Sequence, residues 1–131
     1  MKIIHESGRR KEAIARATLK KGSGSVKINN IPMDMYEPKL SRLKLREPTI
    51  LAGDVMEKVD ITIRVSGGGQ VSQAEAARLA LSRALVKFNK KLETIFMKYD
   101  RQFLVADSRY KETRKPNRHG KARSKRQKSY R

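Results

Sequence analysis

The side chains best suited to chemistry lie at the C-terminal end, and that chemistry is the recognition of phosphate. Residues 109–131 contain eleven Lys/Arg and one acid, Glu112, and their only apolar or aromatic residues are Tyr110, Ala122 and Tyr130. The planar fork of arginine bonds phosphate at two points and stacks on bases. Because the segment has too little apolar surface to form a core, we expect it to be disordered when the protein is free. It predicts a dense polyanion as partner.

Three consecutive glycines, Gly67, Gly68 and Gly69, form a second candidate phosphate contact, since glycines allow close backbone approach near a helix N-terminus. The nucleotide-loop signatures are incomplete: G-K-[ST] is absent, and Ser72 stands where G-x-G-x-x-G requires its third glycine. A tight turn, a contact with RNA phosphate and a mononucleotide site all remain open, the last being the weakest. The basic cluster Gly8-Arg9-Arg10-Lys11 favours phosphate contact over a merely solvated strand end.

Catalytic and metal-binding patterns are weak in this chain. His5 and His119 are its only histidines, and no further ligands stand at metal-binding spacing. Asp100 and Asp107 each lie within two residues of an arginine, so charge pairing explains them better than acid–base catalysis. Ser108 has no histidine partner nearby in sequence. The chain is therefore predicted not to be an enzyme and to need no cofactor or metal.

Composition extends the basic character beyond the tail. The chain of 131 residues carries a formal charge of +19, and residues 1–108 alone hold 21 Lys/Arg against 12 acids. Such charge causes self-repulsion that a polyanionic partner relieves. With no cysteine, disulfides and thiolate metal sites are excluded. No signal-peptide core, membrane span or Trp/Phe/Leu anchoring face is visible, which predicts a soluble intracellular protein without a membrane partner.

Hydrophobic periodicity predicts the strands that position these residues. Residues 12–20 alternate between apolar and polar side chains, a glycine turn follows at 22–24, and residues 26–28 alternate again, which predicts a hairpin. Residues 31–33 fit a short edge piece. Strict alternation over residues 59–65 is the clearest strand signal.

The same periodicity predicts three helices. Pro38 opens the first, which Pro48 should end or kink. The second begins at a capping box formed by Ser72 and Glu75 and runs to about Phe88; its expected core stripe is Ala74, Ala77, Leu81, Ala84, Leu85 and Phe88. The third covers residues 92–100, and residues 103–105 form a last apolar anchor. The order predicts a two-layer α+β domain at residues 1–108 and a tail at 109–131.

Several motifs, read in order, resemble one family, the ninth protein of the small ribosomal subunit. They are Gly8-Arg9-Arg10-Lys11-Glu12-Ala13-Ile14-Ala15-Arg16-Ala17, Glu47-Pro48, Leu51-Ala52-Gly53, Gly67-Gly68-Gly69, Gln73-Ala74-Glu75-Ala76, Arg78-Leu79-Ala80, Asp107-Ser108-Arg109 and Lys125-Arg126-Gln127-Lys128-Ser129-Tyr130-Arg131. The set covers nearly the whole chain. The C-terminal ending and Lys98-Tyr99-Asp100-Arg101 look like the archaeal and eukaryotic branch of the family.

The resemblance implies a fold and a place in the cytoplasmic ribosome. The fold is a two-layer α/β sandwich like the second domain of the fifth small-subunit ribosomal protein. The implied partners are small-subunit ribosomal RNA, peptidyl-site transfer RNA and neighbouring proteins of the small-subunit head, with no homo-oligomer. The residues expected to bind ribosomal RNA are Arg9, Arg10, Lys11, Arg16, Gly67, Gly68, Gly69, Gln73, Arg109, Lys111, Arg114, Lys115, Arg118, Lys121, Arg123, Lys125 and Arg126. Those expected to contact transfer RNA are Lys128, Tyr130 and Arg131.

Two departures from the family pattern and two rival functions remain. Ser72 replaces a common glycine, and residues 116–120 replace a patch that is often glycine-rich in archaeal members. A chromatin-like protein that coats duplex DNA would share the electrostatics but not these motifs. A small-molecule phosphotransferase rests on fold analogy alone and lacks a complete phosphate loop.

Overall fold

The computed structural model describes residues 2–118 and 120–123, and in these residues the chain forms a five-stranded sheet and three helices. The strands are β1 (Ile4–Arg10), β2 (Ala13–Lys21), β3 (Val26–Ile28), β4 (Ile31–Pro32) and β5 (Val59–Ser66). The helices are α1 (Lys39–Ala52), α2 (Gln70–Phe88) and α3 (Leu92–Tyr99), with short 3-10 helices at Met33–Met35, Gly53–Lys58 and Arg101–Phe103. The predicted α+β class is confirmed.

The sheet has the order β1-β2-β5-β3-β4, in which only β3 and β5 pair in parallel. The predicted hairpin between residues 12–20 and 26–28 is wrong, because β5 lies between β2 and β3. The turn at residues 22–24 is instead held against the start of β5: the N–H groups of Gly22 and Gly24 donate to the carbonyls of Lys58 and Val59 at 3.0 and 3.1 Å. Asp60 Oδ1 also accepts from the backbone N–H of Ser23 and of Ser25, each at 2.9 Å.

The first strand, β1, was expected only as a basic lead-in to a strand. It forms a hairpin with β2 through a two-residue turn, Lys11 and Glu12, between the paired residues Arg10 and Ala13. Its inward positions hold Ile4, Glu6, Gly8 and Arg10, of which only Ile4 has an apolar side chain, so it shows no apolar alternation. A Cβ added to Gly8 would lie 2.2 Å from the Ala76 carbonyl oxygen, so α2 crosses β1 at a distance that only glycine permits.

The edge piece predicted at residues 31–33 is present as β4. Asn29 and Asn30, with φ of 49° and 67°, join β3 to β4 in the left-handed conformation that two-residue hairpin turns favour. The Asn29 side chain then extends the ladder towards β5. Its Nδ2 donates to the Val65 carbonyl at 3.1 Å, and its Oδ1 accepts from the Val65 N–H at 2.9 Å.

Helix α1 starts after Pro38, as predicted, and continues through Pro48 to Ala52. Leu45, Pro48 and Ala52 recur on its buried face, so packing of this face retains the helix despite the missing N–H of proline. Gly53, with φ of 54°, ends it.

Helix α2 lies across the sheet and against α1. It ends at Phe88 as predicted, and every member of the expected core stripe is buried except Phe88, which is half-buried. The predicted capping box is wrong. The helix begins at Gln70 with Gly69 as its N-cap and no side-chain cap, and the Glu75 carboxylate binds Arg10 and Lys44 instead.

The apolar anchor predicted at residues 103–105 fixes the end of the folded domain. Phe103 is fully buried, with its ring centre 5.5 Å from Phe96 and 5.4 Å from Tyr99. Arg83 then ties this segment to β1, because it donates to the Leu104 carbonyl at 3.1 Å and to the Ser7 carbonyl at 2.9 Å. The tail therefore starts beside the first strand.

Candidate nucleic-acid interface

A broad groove of about 770 Å³ forms where three segments meet: the β1–β2 turn, the start of the tail, and the turn Gly67–Gly69, which we call the glycine turn. We call it the basic groove; its lining is Arg9, Lys11, Glu12, Gly68, Gly69, Ser72, Arg109, Tyr110 and Lys111. Four of these residues are cations and one is an acid. Segments far apart in sequence thus converge on one surface. Six of its nine residues belong to the set expected to bind ribosomal RNA.

The three positions of the glycine turn differ in whether the structure requires a glycine there. Gly67 and Gly68 have φ of 76° and 63°, and added Cβ atoms would lie 2.6 Å from the Glu12 carbonyl oxygen and 3.0 Å from Ala13 N. Both are therefore required by the turn and by packing against the β1–β2 hairpin. Gly69 has an ordinary φ of −102° and no atom within 4 Å of an added Cβ. Its backbone is open to a ligand in the groove.

The first turn of α2 adds positive potential to the basic groove. The N–H of Gln73 is the first of the helix to bond a helical carbonyl acceptor, that of Gly69 at 2.9 Å, and the first turn contains no acidic residue. The positive end of the helix dipole therefore has no carboxylate from this turn beside it. Gln73, expected to bind RNA, uses its side chain within the protein: Nε2 donates to the Gly67 carbonyl at 3.0 Å and steadies the glycine turn.

Tyr110 is a member of the groove that sequence reasoning did not select. Its ring centre lies 5.1 Å from the Arg9 guanidinium carbon, and 51% of the residue remains exposed. A cation over an aromatic face is attracted by the ring quadrupole. The available signal was the position of Tyr110, next to Arg109 and opening an otherwise polar tail.

Arg10 separates from its neighbours in the basic cluster. Its Nε donates to Glu75 Oε2 at 2.7 Å, and its Nη1 lies 2.6 Å from Asp107 Oδ2, an ion pair without hydrogen-bond alignment. Glu75 also accepts from Lys44 Nζ at 2.9 Å, and Asp107 binds Arg109 Nη2 at 2.6 Å. Only 16% of the Arg10 side chain is exposed, so its charge ties β1 to α2 and to the tail. Arg9 and Lys11, by contrast, reach the groove.

These contacts shift the pKa values of both carboxylates downwards. The pKa of Asp107 is lowered by hydrogen bonds from the Arg109 side chain and backbone, with the Arg10 charge contributing and burial opposing. For Glu75, burial acts to raise the pKa, but hydrogen bonds from Lys44 and Arg10 together outweigh it. Asp107 in turn raises the pKa of Arg109. Both carboxylates are therefore charged at neutral pH.

The remaining predicted residues lie outside the basic groove. Arg16 projects from β2 on the opposite side of the sheet from the helices. In the described part of the tail, Lys115 N–H donates to the Lys121 carbonyl at 2.9 Å, and Glu112 binds Lys115 and Arg123 at 3.3 and 2.7 Å. The five cations predicted to bind RNA in this part of the tail are all exposed: Arg114, Lys115, Arg118, Lys121 and Arg123. Lys125, Arg126, Lys128, Tyr130 and Arg131 fall outside the described residues.

Within residues 2–118 and 120–123, no cluster of three or more His, Asp or Glu side chains has a metal-binding arrangement. His5 instead lies with Nδ1 3.1 Å from Thr18 Oγ1. Asp100 N-caps the turn that follows α3 by accepting from the Gln102 N–H at 2.9 Å. No helix in this part of the chain is long and apolar enough to cross a membrane.

Comparison with known proteins gives full-length similarity. A family model described as ribosomal protein S9/S16 matches residues 8–131. A protein of Methanococcus maripaludis strain C7 is 50% identical over 134 residues, and one of Methanococcus vannielii is 48% identical over 134 residues. Both alignments cover 100% of each chain, and both relatives are named small ribosomal subunit protein uS9. Both come from archaea, consistent with the branch that the sequence motifs resemble.

Proposed function

Because the chain belongs to the ribosomal protein S9/S16 family, we propose that its basic groove binds small-subunit ribosomal RNA and that its tail reaches peptidyl-site transfer RNA. As a member of this family it is a structural protein of the small ribosomal subunit in the cytoplasm, and not an enzyme. Ribosomal RNA and neighbouring proteins of the subunit head are its proposed partners. The assignment to the groove rests on its geometry, and the assignment of the tail residues rests on their charge and on the resemblance to the family.

The observation that carries the groove proposal is the convergence of charge from three separate segments. Arg9 and Lys11 come from the first hairpin, and Arg109 and Lys111 come from the start of the tail. Between them lie Gly69, whose backbone is open, and the uncapped first turn of α2. Backbone amides, a helix N-terminus and flexible cations together suit phosphate oxygens, which accept hydrogen bonds and carry the counter-charge.

The proposed contacts set the position of the protein on RNA and do not read base sequence, since groups of this kind bond phosphates and sugars. The Arg10 network holds the hairpin, α2 and the tail in one arrangement, so the groove cations are already placed before RNA binds. Such preorganisation lowers the ordering cost of association. The Arg9–Tyr110 contact keeps the first tail residues at the groove.

The tail proposal divides the chain into a domain at residues 1–108 and an RNA-following arm at 109–131. The composition of the arm supports it: eleven cations, one acid and almost no apolar surface. The resemblance to the family assigns the transfer RNA contact to the C-terminal residue Arg131, with Lys128 and Tyr130 beside it. Lys125 and Arg126 would still contact ribosomal RNA.

The groove is tested with the double variant Lys11→Gln/Lys111→Gln, measured against a fragment of small-subunit head RNA over a range of salt concentrations. Loss of two phosphate contacts should reduce affinity and make the log–log salt slope shallower by about two. Lys90→Gln/Lys91→Gln removes the same charge from the exposed α2–α3 connection and serves as the matched control. Equal behaviour of the two variants would reject the groove as the binding site.

The tail is tested by deleting residues 129–131. Assembly into the small subunit should be retained, because the groove is intact, while binding of transfer RNA at the peptidyl site should weaken. Deletion removes one cation, Arg131, so a chain with Lys2→Gln instead controls for net charge. Unchanged transfer RNA affinity would count against the assigned role of Arg131.

The rival functions separate from this proposal by competition. A protein that coats duplex DNA would bind it as well as folded small-subunit RNA, whereas the family function requires a strong preference for the RNA. A phosphotransferase would show saturable ATP binding by the domain without its tail. Family membership favours neither rival.

A further inference from the structure

We propose that the uncovered face of the sheet is a second RNA-binding surface, which takes the sugar–phosphate backbone of an RNA helix. This inference rests on the proposed function but concerns a surface that shares no residue with the basic groove. We call the surface the open face; it consists of His5, Ser7, Arg16, Thr18, Lys20, Lys27, Thr62 and Arg64. All of these side chains except half-buried Thr18 are exposed, since they alternate with core residues that face the helices.

The central observation is a pair of like charges held side by side. Arg16 on β2 and Arg64 on β5 are direct cross-strand partners. Neither has a carboxylate within ion-pair distance in the part of the chain that the structure describes. Like charges at directly opposite positions destabilise a sheet. The pair is therefore unfavourable in the free protein and becomes favourable when an anion bridges it.

The acids near the open face are already engaged. Asp60 pairs in register with Lys20, but its Oδ1 accepts from the backbone N–H of Ser23 and Ser25. Glu6, at the rim, forms an ion pair with Lys87. The charges of Arg16, Arg64, Lys20 and Lys27 thus project from the sheet with little internal compensation, and a partner with regularly spaced negative charge would neutralise them.

The other side chains of the open face indicate the form of that partner. It carries no Phe, Tyr or Trp ring, and its one imidazole, His5, lies with Nδ1 3.1 Å from Thr18 Oγ1, so successive bases of single-stranded RNA would find no extended stacking platform. Its hydroxyls, on Ser7, Thr18 and Thr62, can bond phosphate oxygens and ribose 2′-OH groups, as in shape-based recognition of RNA helices. A depression of about 800 Å³ lies on this face, lined by Arg16, Thr18, Thr62 and Arg64 among others.

An acidic segment of a neighbouring protein is the competing occupant. Protein interfaces usually depend on buried aromatic or large apolar anchors. Here no residue of the open face has a large apolar side chain, and Ile14, two residues before Arg16 on β2, is only 37% exposed. The balance of cations and hydroxyls therefore favours RNA.

The first test is the double variant Arg16→Gln/Arg64→Gln, titrated with head RNA over a range of salt concentrations. We expect weaker binding and a salt slope shallower by about two, with resistance to urea equal to or above that of the wild type. The control variant Lys90→Gln/Lys91→Gln loses the same charge on the helix side, and it should bind head RNA more tightly than the Arg16→Gln/Arg64→Gln variant does. A double variant that matches this control would overturn the proposal.

The second test uses the absence of cysteine from the chain. A Thr62→Cys variant carries one thiol, to which an iron–EDTA cleavage reagent can be attached on the open face. Strand cleavage of bound head RNA near this position supports the proposal, and a reagent at Lys90→Cys should give a different or weaker pattern. No cleavage from position 62, while the Lys11/Lys111 variant still loses affinity, would overturn the open face and leave the groove intact.

Two further outcomes are also decisive. If the Arg16/Arg64 variant binds naked RNA normally but enters assembled subunits poorly, the open face contacts a protein and the RNA proposal is overturned. If the wild-type protein itself does not prefer small-subunit RNA, the proposed function fails, and this inference fails with it.

Discussion

The guanidinium of Arg9 lies over the ring of Tyr110, 5.1 Å from its centre, so the first strand directly contacts the first residues of the tail. The contact joins β1 to the start of the tail at the basic groove. It also means that the direction in which the tail leaves the domain depends on a side chain of β1.

Replacing Tyr110 with leucine should loosen this junction. An exposed cation–π contact is worth about 0.5–1 kcal/mol, so affinity for head RNA should fall about two- to fivefold. Hydrogen exchange should also become faster at residues 109–111. Tyr110→Phe keeps the ring and is the control; equal losses in both variants would show that the hydroxyl, and not the ring, matters.

Lys11 should show a trade-off between stability and binding. Its backbone lies in the left-handed region, with φ of 52°. This conformation is less favourable for lysine than for asparagine. Lys11→Asn should therefore raise the free energy of unfolding by about 0.5 kcal/mol while it weakens RNA binding. Urea unfolding and RNA titration measure the two effects. Lys111→Asn should weaken binding with unchanged stability; a parallel loss of both properties in Lys11→Asn would contradict the interpretation.

The glycine turn should separate structural from binding roles. Gly67→Ala places a methyl group against the Glu12 carbonyl at a positive φ and should cost about 2 kcal/mol of stability. Gly69→Ser meets no neighbouring atom and adds a favourable N-cap, so stability should change by less than about 0.5 kcal/mol. Its RNA affinity should nevertheless fall, because the new side chain enters the groove. Undiminished affinity would mean that RNA does not approach this backbone.

Acid should weaken the fold through the Arg10 network. The pKa values of Asp107 and Glu75 are lowered in the folded protein, so their stabilising effect is complete above the unfolded pKa values, near 4. It is lost as the pH falls towards the folded values, because the unfolded chain takes up protons first. Asp107→Asn/Glu75→Gln should be less stable at pH 7 and show a flatter stability curve below about pH 5.

Urea midpoints measured between about pH 3 and pH 7 check this expectation. The exposed Glu57 has no ion pair in the described part of the chain, so Glu57→Gln should keep the wild-type pH dependence. A double variant with an unchanged acid branch would place the pH-sensitive groups elsewhere.

Elements with one buried face were predictable from sequence, because their side-chain pattern repeats the geometry of burial. β2 and β5 alternate strictly, and α2 has a continuous stripe of small apolar residues. β1 was missed because its inward position opposite α2 is Gly8, which packs by having no side chain.

Long-range competition explains the two wrong predictions. Residues 12–20 and 26–28 suit a hairpin locally, but β5 offers β2 a longer partner and leaves β3 on its other side. Ser72 and Glu75 have capping-box spacing, but Arg10 and Lys44 bind the Glu75 carboxylate more strongly than a backbone amide would. Neither competitor is visible within a local window.

The candidate site was predictable residue by residue but not as a surface. Arg9, Lys11, Arg109 and Lys111 were selected for their charge, and the structure brings them together. Arg10 carries the same charge but faces two carboxylates, and strand alternation alone could not identify them. Tyr110 became part of the site only when Arg83 and Phe103 placed the tail beside β1.

The central place of β5 in the sheet has a consequence for biosynthesis. β2 and β3 leave the ribosome well before β5, and each then lacks the partner that covers its inner edge. Residues 1–58 include β1 to β4 but lack the strand that joins β2 to β3, so the sheet closes only after Ser66 has left the ribosome. Because the native topology has a high contact order, we expect the domain to fold in a single step late in synthesis. Until then, the positive charge of residues 1–58 should oppose their association with other copies of the chain.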